Sequence, residues 1–390
     1  MNIDLKVEAP VLDRNNVRLL SYNLFLRGLV KNVRDDWKDE RLRAYVQMVD
    51  DFDIICNQEV FDFFNRSRKE QLITHCLKAG FLYYACSPSA PLFSEYCVSG
   101  GLITFSRFPI VESDFKSYRY GVLSDQISYK GVLYCKIDVQ GAKLHVFQTH
   151  TQASYFGTSV EDFKITFECR LEQLRMIRRY IEEKTKNAHP HDLIILCGDI
   201  NVNGSKTNRK GQSYRELVKE KVNFYFYFLL YLQPEFKSAL DEYDREYQLL
   251  IEILSNNQQD QLTDVMRVSN DGHSPVTFGD SYLDADGKEQ PVDRELVKHE
   301  DYCTHQSLDY IFEIKRAFNV ELEKNLIESG LSSAETVEQK QSQEKVGKNE
   351  QKRLSIDIKQ SRVDKFMFDT HFAVKQCSDH YGVSTVLQLV

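Results

Sequence analysis

Several polar residues of this sequence fall where apolar runs end. Asn23 follows LLSY, Glu59 follows IICNQ, His150 follows HVFQT, and Asp199 and Asn201 follow LIILCG. Asp309 lies inside SLDYIF, and Asp379 and His380 precede the last apolar run in SDHYGV. Each alone has an ordinary reading. Asn or Asp after a strand is a turn or helix cap, a lone Glu or His is a solvated surface group, and an acid inside an apolar run is a hydrogen-bonded structural residue. Together they hold what phosphodiester hydrolysis needs. A hard cation can meet the negative oxygens, and Mg²⁺ takes one or two protein carboxylates and keeps several waters. Glu59, with Asn23 beside it, offers such a half-shell. His380 fits a general base, a role worth about 10²–10⁴-fold in rate. A base of this kind needs an acceptor on its other nitrogen, which suits Asp309. Asp199 and Asn201 could point the same way from an extended segment. One would then orient the water and the other hold a phosphoryl oxygen. His150 could brace the phosphate or serve the leaving group.

Such residues need strands to hold them at one edge. Short runs rich in β-branched and aromatic residues recur at 17–22, 53–56, 81–86, 101–105, 132–139, 143–147, 193–197, 308–314 and 383–389, each bounded by Gly, Asn, Asp or Pro. Helical spacing of apolar residues marks 40–49, 67–79 and 163–181, the last with Phe167, Leu171, Leu174, Ile177 and Ile181 on one stripe. Residues 132–147 read as a hairpin with a short turn at Gln140-Gly141. Helices alternate with strands early and strands follow strands later. This predicts mixed sheets covered by helices, not a purely parallel doubly wound fold. Two stretches interrupt the pattern. Residues 205–260 are aromatic-rich and helical in character. Residues 327–362 have few large apolar side chains and read as a flexible polar loop.

The chain has 390 residues, a formal charge of −8, 42% hydrophobic residues and 12% aromatics. That excludes wholesale disorder and suits sheet-rich packing. The acidic balance argues against a protein that wraps nucleic acid, because phosphate binding shows as excess Lys and Arg. A metal can still meet a phosphate in an acidic chain. The N-terminal stretch lacks an apolar h-region, so no secretory signal is expected. The longest apolar run, 224–232, is far below the roughly 18 residues that a spanning helix needs. The nine cysteines are scattered, and Cys56, Cys135 and Cys197 sit in strand-like runs as small hydrophobes. A reduced, cytoplasmic protein, peripheral on membranes if it meets them, is the expectation.

In these segments the sequence resembles the endonuclease/exonuclease/phosphatase superfamily. The matching motifs are SYNLFLR at 21–27, NQEVFD at 57–62, GGLITFSRFPI at 100–110, THTQAS at 149–154, CGDINVNG at 197–204, LDYIF at 308–312 and SDHYGV at 378–383. Their order follows the superfamily over nearly the whole chain. Within it, SYNLFLR, NQEVFD, THTQAS and SYKGVLYCKI at 128–137 look most like neutral sphingomyelinases. Asp125 and Lys130, five residues apart, look like that branch's Asp/Lys switch pair. On the residues alone, Lys130 reads as a solvated lysine beside a turn glycine and Asp125 as a loop acid.

The resemblance implies a four-layer α/β/β/α sandwich, with 1–390 forming one catalytic domain and the two stretches inserted in it. It implies Mg²⁺-dependent hydrolysis of sphingomyelin to ceramide and phosphocholine. Carried over by motif, Glu59 is the principal metal ligand with Asn23 nearby. Asp199, Asn201 and His150 surround the phosphate, and His380 is the general base with Asp379 and Asp309 as neighbours. A lipid enzyme must reach a bilayer. The segment NFYFYFLLYLQPEF at 223–236 is either a buried amphipathic element or an interfacial one. The rival readings are a Mg²⁺-dependent nuclease of the same superfamily, an inositol-phosphate phosphatase, and a catalytically inactive binding module. The charge and the SYKGV element argue against the first. The second would carry a tryptophan- and arginine-bearing motif where this chain has THQSLDYIF. The third would have lost a carboxylate or the histidine of SDH.

Overall fold

In a computed structural model of the chain, residues 14–27, 36–62, 66–91, 93–154, 160–207, 245–317, 352–368 and 373–390 are described. Strands and helices are numbered in chain order. One six-stranded sheet holds β1 (Asn16–Asn23), β2 (Ile54–Gln58), β3 (Tyr83–Cys86), β4 (Ile103–Ser106), β13 (Leu354–Asp364) and β14 (Gly382–Leu389), in the order β13-β14-β1-β2-β4-β3. The second holds β5 (Ile110–Ser117), β6 (Gly131–Val139), β7 (Ala142–His150), β8 (Leu193–Asp199), β9 (Gln261–Asp264) and β12 (Asp309–Lys315), in the order β5-β6-β7-β8-β12-β9. Each sheet has a parallel pair at its centre, β1 with β2 and β7 with β8, and antiparallel neighbours outside it. Parallel neighbours need a crossover. Helix α1 (Lys38–Tyr45) lies between β1 and β2, and α3 (Val160–Thr185) between β7 and β8.

The layers follow from the two-residue period of the strands. Val17 and Leu19 of β1, Ile54 and Cys56 of β2, and Leu193, Ile195 and Cys197 of β8 meet in one core between the sheets. The alternate residues face the helices. Leu20, Tyr22 and Ile55 pack with Leu42 and Tyr45 of α1 and with Leu72 and Cys76 of α2 (Ser67–Lys78). Ile194, Leu196 and Tyr134 pack with Leu174, Ile177 and Ile181 of α3 and with Leu250 and Leu254 of α4 (Glu246–Leu254). Strands buried on both faces read as continuous apolar runs, which is why the central ones stand out in the sequence. The result is the α/β/β/α sandwich expected from the sequence. Among the described residues, no helix is long and apolar enough to cross a membrane.

Three details differ from the sequence expectations. The strand β13 occupies 354–364, so the end of the stretch read as a flexible polar loop is ordered sheet. It is an edge strand with a register shift between Asp357 and Arg362, and most of its side chains are half-buried or exposed. An edge strand with one solvated side needs few apolar residues, and the composition misleads. The two edge strands of the other sheet, β5 and β9, were missed as well, both with mostly half-buried or exposed side chains. A small hairpin, β10 (Ser281–Leu283) with β11 (Glu289–Pro291), was also missed, along with the short helix α5 (Val265–Ser269). Within 205–260 the described end holds α4. The aromatic segment 223–236 and residues 327–351 lie outside the described residues.

Candidate active site

The topology brings the sequence candidates to one end of the sandwich. Asn23 and Glu59 stand at the carboxyl ends of the parallel pair β1 and β2. His150 and Asp199 end the parallel pair β7 and β8 and lie opposite one another in register. Asp309 opens the antiparallel β12 and faces Asp199. Asp379 and His380 immediately precede β14, which is antiparallel to β1 and so begins at the same end. Local backbone allows the close approach. Gly198 has φ +138°, and a Cβ there would meet the Thr149 carbonyl oxygen at 1.9 Å. Only glycine lets β7 and β8 meet one residue before their catalytic ends. Glu59 and Asn201 themselves hold left-handed φ values of 57° and 53°, a conformation that non-glycine residues keep only where their surroundings impose it.

All these groups but Asn201, which is half-buried, are buried. Asn23 joins the two sheets. Its Nδ2 donates to Glu59 Oε1 at 3.2 Å and to Asp199 Oδ2 at 2.9 Å. Its oxygen accepts from the Phe25 amide at 3.0 Å. A backbone N–H can only donate, so this contact fixes which end of the amide is oxygen. Asn23 therefore holds the two carboxylates together, with one of the two lone pairs of its oxygen taken by the Phe25 amide. Asp199 Oδ1 accepts from the Asn201 amide at 3.0 Å, and Asn201 Nδ2 donates to the Thr151 carbonyl at 3.3 Å.

His380 Nδ1 lies 2.9 Å from Asp309 Oδ2, the pairing expected of a base with a fixed tautomer, and its Nε2 lies 3.6 Å from Asp199 Oδ2. Burial alone would lower the His380 pKa, but the Asp309 and Asp199 carboxylates outweigh it and raise it well above the usual value. Burial pushes Asp199 up to about 7, with Asp309 and Glu59 adding to the rise against His380 and the Asn23 hydrogen bond. Burial likewise raises Asp379 to about 6, and Asp379 accepts from Ser378 Oγ at 3.2 Å.

His150 behaves in the opposite way. Its Nε2 lies 3.6 Å from Asp199 Oδ2 and 3.9 Å from Glu59 Oε1. Lys130 Nζ approaches the same nitrogen at 3.2 Å. Burial first, and then the Lys130 cation, hold the His150 pKa well below the usual value. An ammonium has no lone pair, so His150 Nε2 accepts and Nδ1 carries the proton. Among the described residues, that buried Nδ1 has no hydrogen-bond partner. Lys130 is not a solvated lysine. It is buried, ion-paired to Asp125 Oδ2 at 2.9 Å and donating to the Thr151 carbonyl at 3.0 Å. Asp125 Oδ2 also accepts from the Ala153 amide at 2.9 Å.

The donor set suits a hard divalent cation. The ligand atoms of Glu59, His150 and Asp199 lie within 4.8 Å of one another, as do those of Asp199, Asp309 and His380. Glu59 Oε2 and Asp309 Oδ1 are buried and accept no hydrogen bond among the described residues, although Arg27 Nε stands 3.3 Å from Glu59 Oε2. Buried carboxylate oxygens left in this state are stabilised by a cation, and oxygen ligands favour a hard one.

Glu59, His150, Asp199, Asn201, Asp379 and His380 line one cleft. Phe278, Leu296, Lys298 and Asp301 also wall it, none of which the sequence reading singled out. The Phe278 ring centroid is 4.9 Å from that of His380, and the Thr277 carbonyl accepts from the Tyr381 amide at 2.7 Å. This wall comes from irregular chain without periodicity, so no signal in the sequence marks it. Arg41 was also missed. It is fully buried and donates to the carbonyls of Leu24, Phe25, Asp36 and Cys377, tying the segment after Asn23 to the one before Asp379.

No family model matches the chain. A sphingomyelinase of Dictyostelium discoideum is 34% identical over 375 residues, covering 87% of this chain and 72% of the relative. Among solved structures, a double mutant of beta toxin from Staphylococcus aureus with bound magnesium ions superposes with a TM-score of 0.54 at 18% identity, over 95% of this chain and 99% of that one. An endonuclease/exonuclease/phosphatase protein from Beutenbergia cavernae gives 0.51 at 16% identity, over 96% and 72%. At that identity the two structures speak for the fold. With the first relative matched over most of both chains, this chain belongs to the sphingomyelinase family, a phosphodiesterase hydrolase on the endonuclease/exonuclease/phosphatase fold.

Proposed function

We propose that the enzyme hydrolyses sphingomyelin to ceramide and phosphocholine, with Mg²⁺ held at Glu59 and His380 as general base. The observation that carries this is the meeting of Glu59, His150, Asp199 and His380 in one cleft, with Asp309 hydrogen-bonded to His380. Glu59, with Asp199 close by, would hold the cation, and Asn23 keeps the two carboxylates in place. Bound there, the cation supplies charge neutralisation for the phosphoryl oxygens. The magnesium in the beta-toxin structure supports that choice of metal.

His380 takes a proton from the attacking water at Nε2. Asp309 accepts from Nδ1, keeps the other nitrogen free, and stabilises the imidazolium that forms. Water attacks phosphorus and the P–O bond to ceramide breaks. The departing oxygen takes a proton from a solvent water and leaves as the ceramide hydroxyl. Phosphocholine keeps the new oxygen, and His380 returns its proton to solvent. Asp199 and Asn201 orient the water and a phosphoryl oxygen. His150, neutral, turns Nε2 towards Asp199 and Glu59 beside the phosphate and keeps its protonated Nδ1 inside the protein. Lys130 stands behind His150 and is positioned by Asp125. Asp379, beside His380, adds negative potential to the base.

The direct test is release of phosphocholine from sphingomyelin vesicles by the purified protein with Mg²⁺. Chelation is expected to abolish it. His380→Ala is expected to cost about 10²–10⁴-fold in kcat, and Asp309→Asn to reduce kcat with little change in KM. Cleavage of plasmid DNA with sphingomyelin untouched would reject the lipid substrate. Full activity in Glu59→Gln would reject the metal assignment.

A further inference from the structure

The catalytic cleft lies at one end of the sandwich, and two loops at that end carry an exposed aromatic patch. Residues 87–102 join β3 to β4, and 118–130 join β5 to β6. The most exposed large apolar side chain among the described residues is Phe93, at 105% of its reference area. Tyr120 and Ile127 of the second loop are also exposed, at 47% and 38%. Between the two loops Tyr96 packs on Tyr129 with ring centroids 5.0 Å apart, and Tyr129 packs on Phe115 of β5 at 5.5 Å.

The two loops are hydrogen-bonded to each other and to the segment that carries Glu59. The amides of Cys97 and Val98 donate to the Ile127 carbonyl at 2.7 and 3.2 Å, and Tyr129 N donates to the Val98 carbonyl at 3.0 Å. Ser99 N donates to the Asp62 carbonyl and Val60 N to that of Gly101. A Cβ at Gly100 would meet the Tyr129 carbonyl oxygen at 2.6 Å, so the loops lie against one another. The second loop ends on Lys130, which touches His150. The patch is thus fixed to both halves of the site.

We infer that these paired loops dock the enzyme on a zwitterionic lipid surface, with Phe93 as the inserted side chain. The inference rests on the sphingomyelin reading, because that substrate resides in a bilayer and the second loop is bonded, through Asp125 and Lys130, to Ala153 and His150 of the cleft that must receive it. The charges beside the patch are balanced. Glu95 and Arg119 are exposed and opposite in sign, and Asp125 is paired with Lys130. A docking face for anionic lipid would instead carry clustered Lys and Arg. Aromatic side chains are the residues favoured at the interface between headgroups and acyl chains.

The test uses the full chain and vesicles of phosphatidylcholine and sphingomyelin, with binding read by sedimentation. Phe93→Ala is expected to weaken partitioning about tenfold or more, as loss of one buried aromatic implies. Phe93→Asp should weaken it further, Phe93→Trp should retain it, and raising the salt should change it little. Hydrolysis of the water-soluble ester p-nitrophenylphosphocholine should be unchanged in all three variants. Wild-type binding by Phe93→Asp overturns the inference. So does an equal loss on the soluble ester, which would assign Phe93 to the fold or the site. Loss in Leu283→Ala, on the exposed hairpin, without loss in Phe93→Asp moves the contact elsewhere. A dimer that Phe93→Asp dissociates, with vesicle binding intact, gives the patch to a second copy. If the wild type hydrolyses neither substrate, the sphingomyelin reading fails, and sedimentation still decides the docking.

Discussion

Two histidines in one cleft are driven in opposite directions by their neighbours. His380 faces Asp309 and Asp199 and is raised; His150 is buried beside the Lys130 cation and is lowered. The raised value belongs to the metal-free site: the same carboxylates turned towards a cation would hold His380 less strongly as the imidazolium, whereas burial keeps His150 neutral in either case. Lys130→Met removes the second cause of the His150 shift and leaves the first. The His150 pKa, followed by NMR of labelled histidine in the metal-free protein, is expected to rise. It should stay below 6.5, because desolvation still disfavours the imidazolium. An unchanged or lower value would remove Lys130 from the electrostatics of His150. Lys130 and Asp125 also mark how far residue types alone can go. By themselves they could not be told from a surface lysine and a loop acid. Burial and the 2.9 Å ion pair distinguish them, and neither is written in a local pattern. Asp309 was different, because an acid in the middle of an apolar run requires a partner, and its partner is His380.

Elements were legible where both faces of a strand are buried. The runs at 132–139, 143–147 and 193–197 match β6, β7 and β8 closely because helix on one side and sheet on the other demand apolar residues throughout. Edge strands β5 and β13 carry no such demand and read as polar chain. Helix packing adds a device that no periodicity reveals. Arg170 of α3 and Glu246 of α4 form a fully buried pair, Nε to Oε1 at 2.6 Å, and Arg170 also donates to the Gln152 carbonyl at 2.8 Å. That contact fastens both helices to the loop that follows His150. Burial raises the Glu246 pKa even with Arg170 present. Removing one partner of such a pair leaves an uncompensated buried charge. Arg170→Met is expected to cost about 3–5 kcal/mol in denaturant unfolding. Arg170→Met combined with Glu246→Leu should recover much of that loss. If the double variant is no more stable than the single one, the pair does not act by charge compensation and the Gln152 contact carries its effect.

At the scale of the whole molecule, the formal charge of −8 matters less than where the acids sit. Glu59 belongs to the first sheet, Asp199 and Asp309 to the second, and Asp379 to the turn before β14; all are buried at the same seam. Without a cation, the described contacts across that seam at the site include the Asn23 bridge and the approach of His380 to Asp199 and Asp309. Further in, Gln148 of β7 donates to the Asn57 carbonyl of β2 at 2.6 Å and accepts from Thr104 of β4 at 2.7 Å. A cation at Glu59, with Asp199 close by, would therefore act on both sheets at once. Ligands that bind only the folded state stabilise what they touch. Adding Mg²⁺ is expected to slow amide hydrogen exchange at 59–62, 199–201 and 377–380 together, read by mass spectrometry on the full chain. Glu59→Gln changes one side chain of the first sheet. It should nevertheless abolish the slowing at 199–201 in the second. Protection confined to the first sheet in the wild type, or protection at 199–201 that survives Glu59→Gln, would mean that the seam is held without a shared ion.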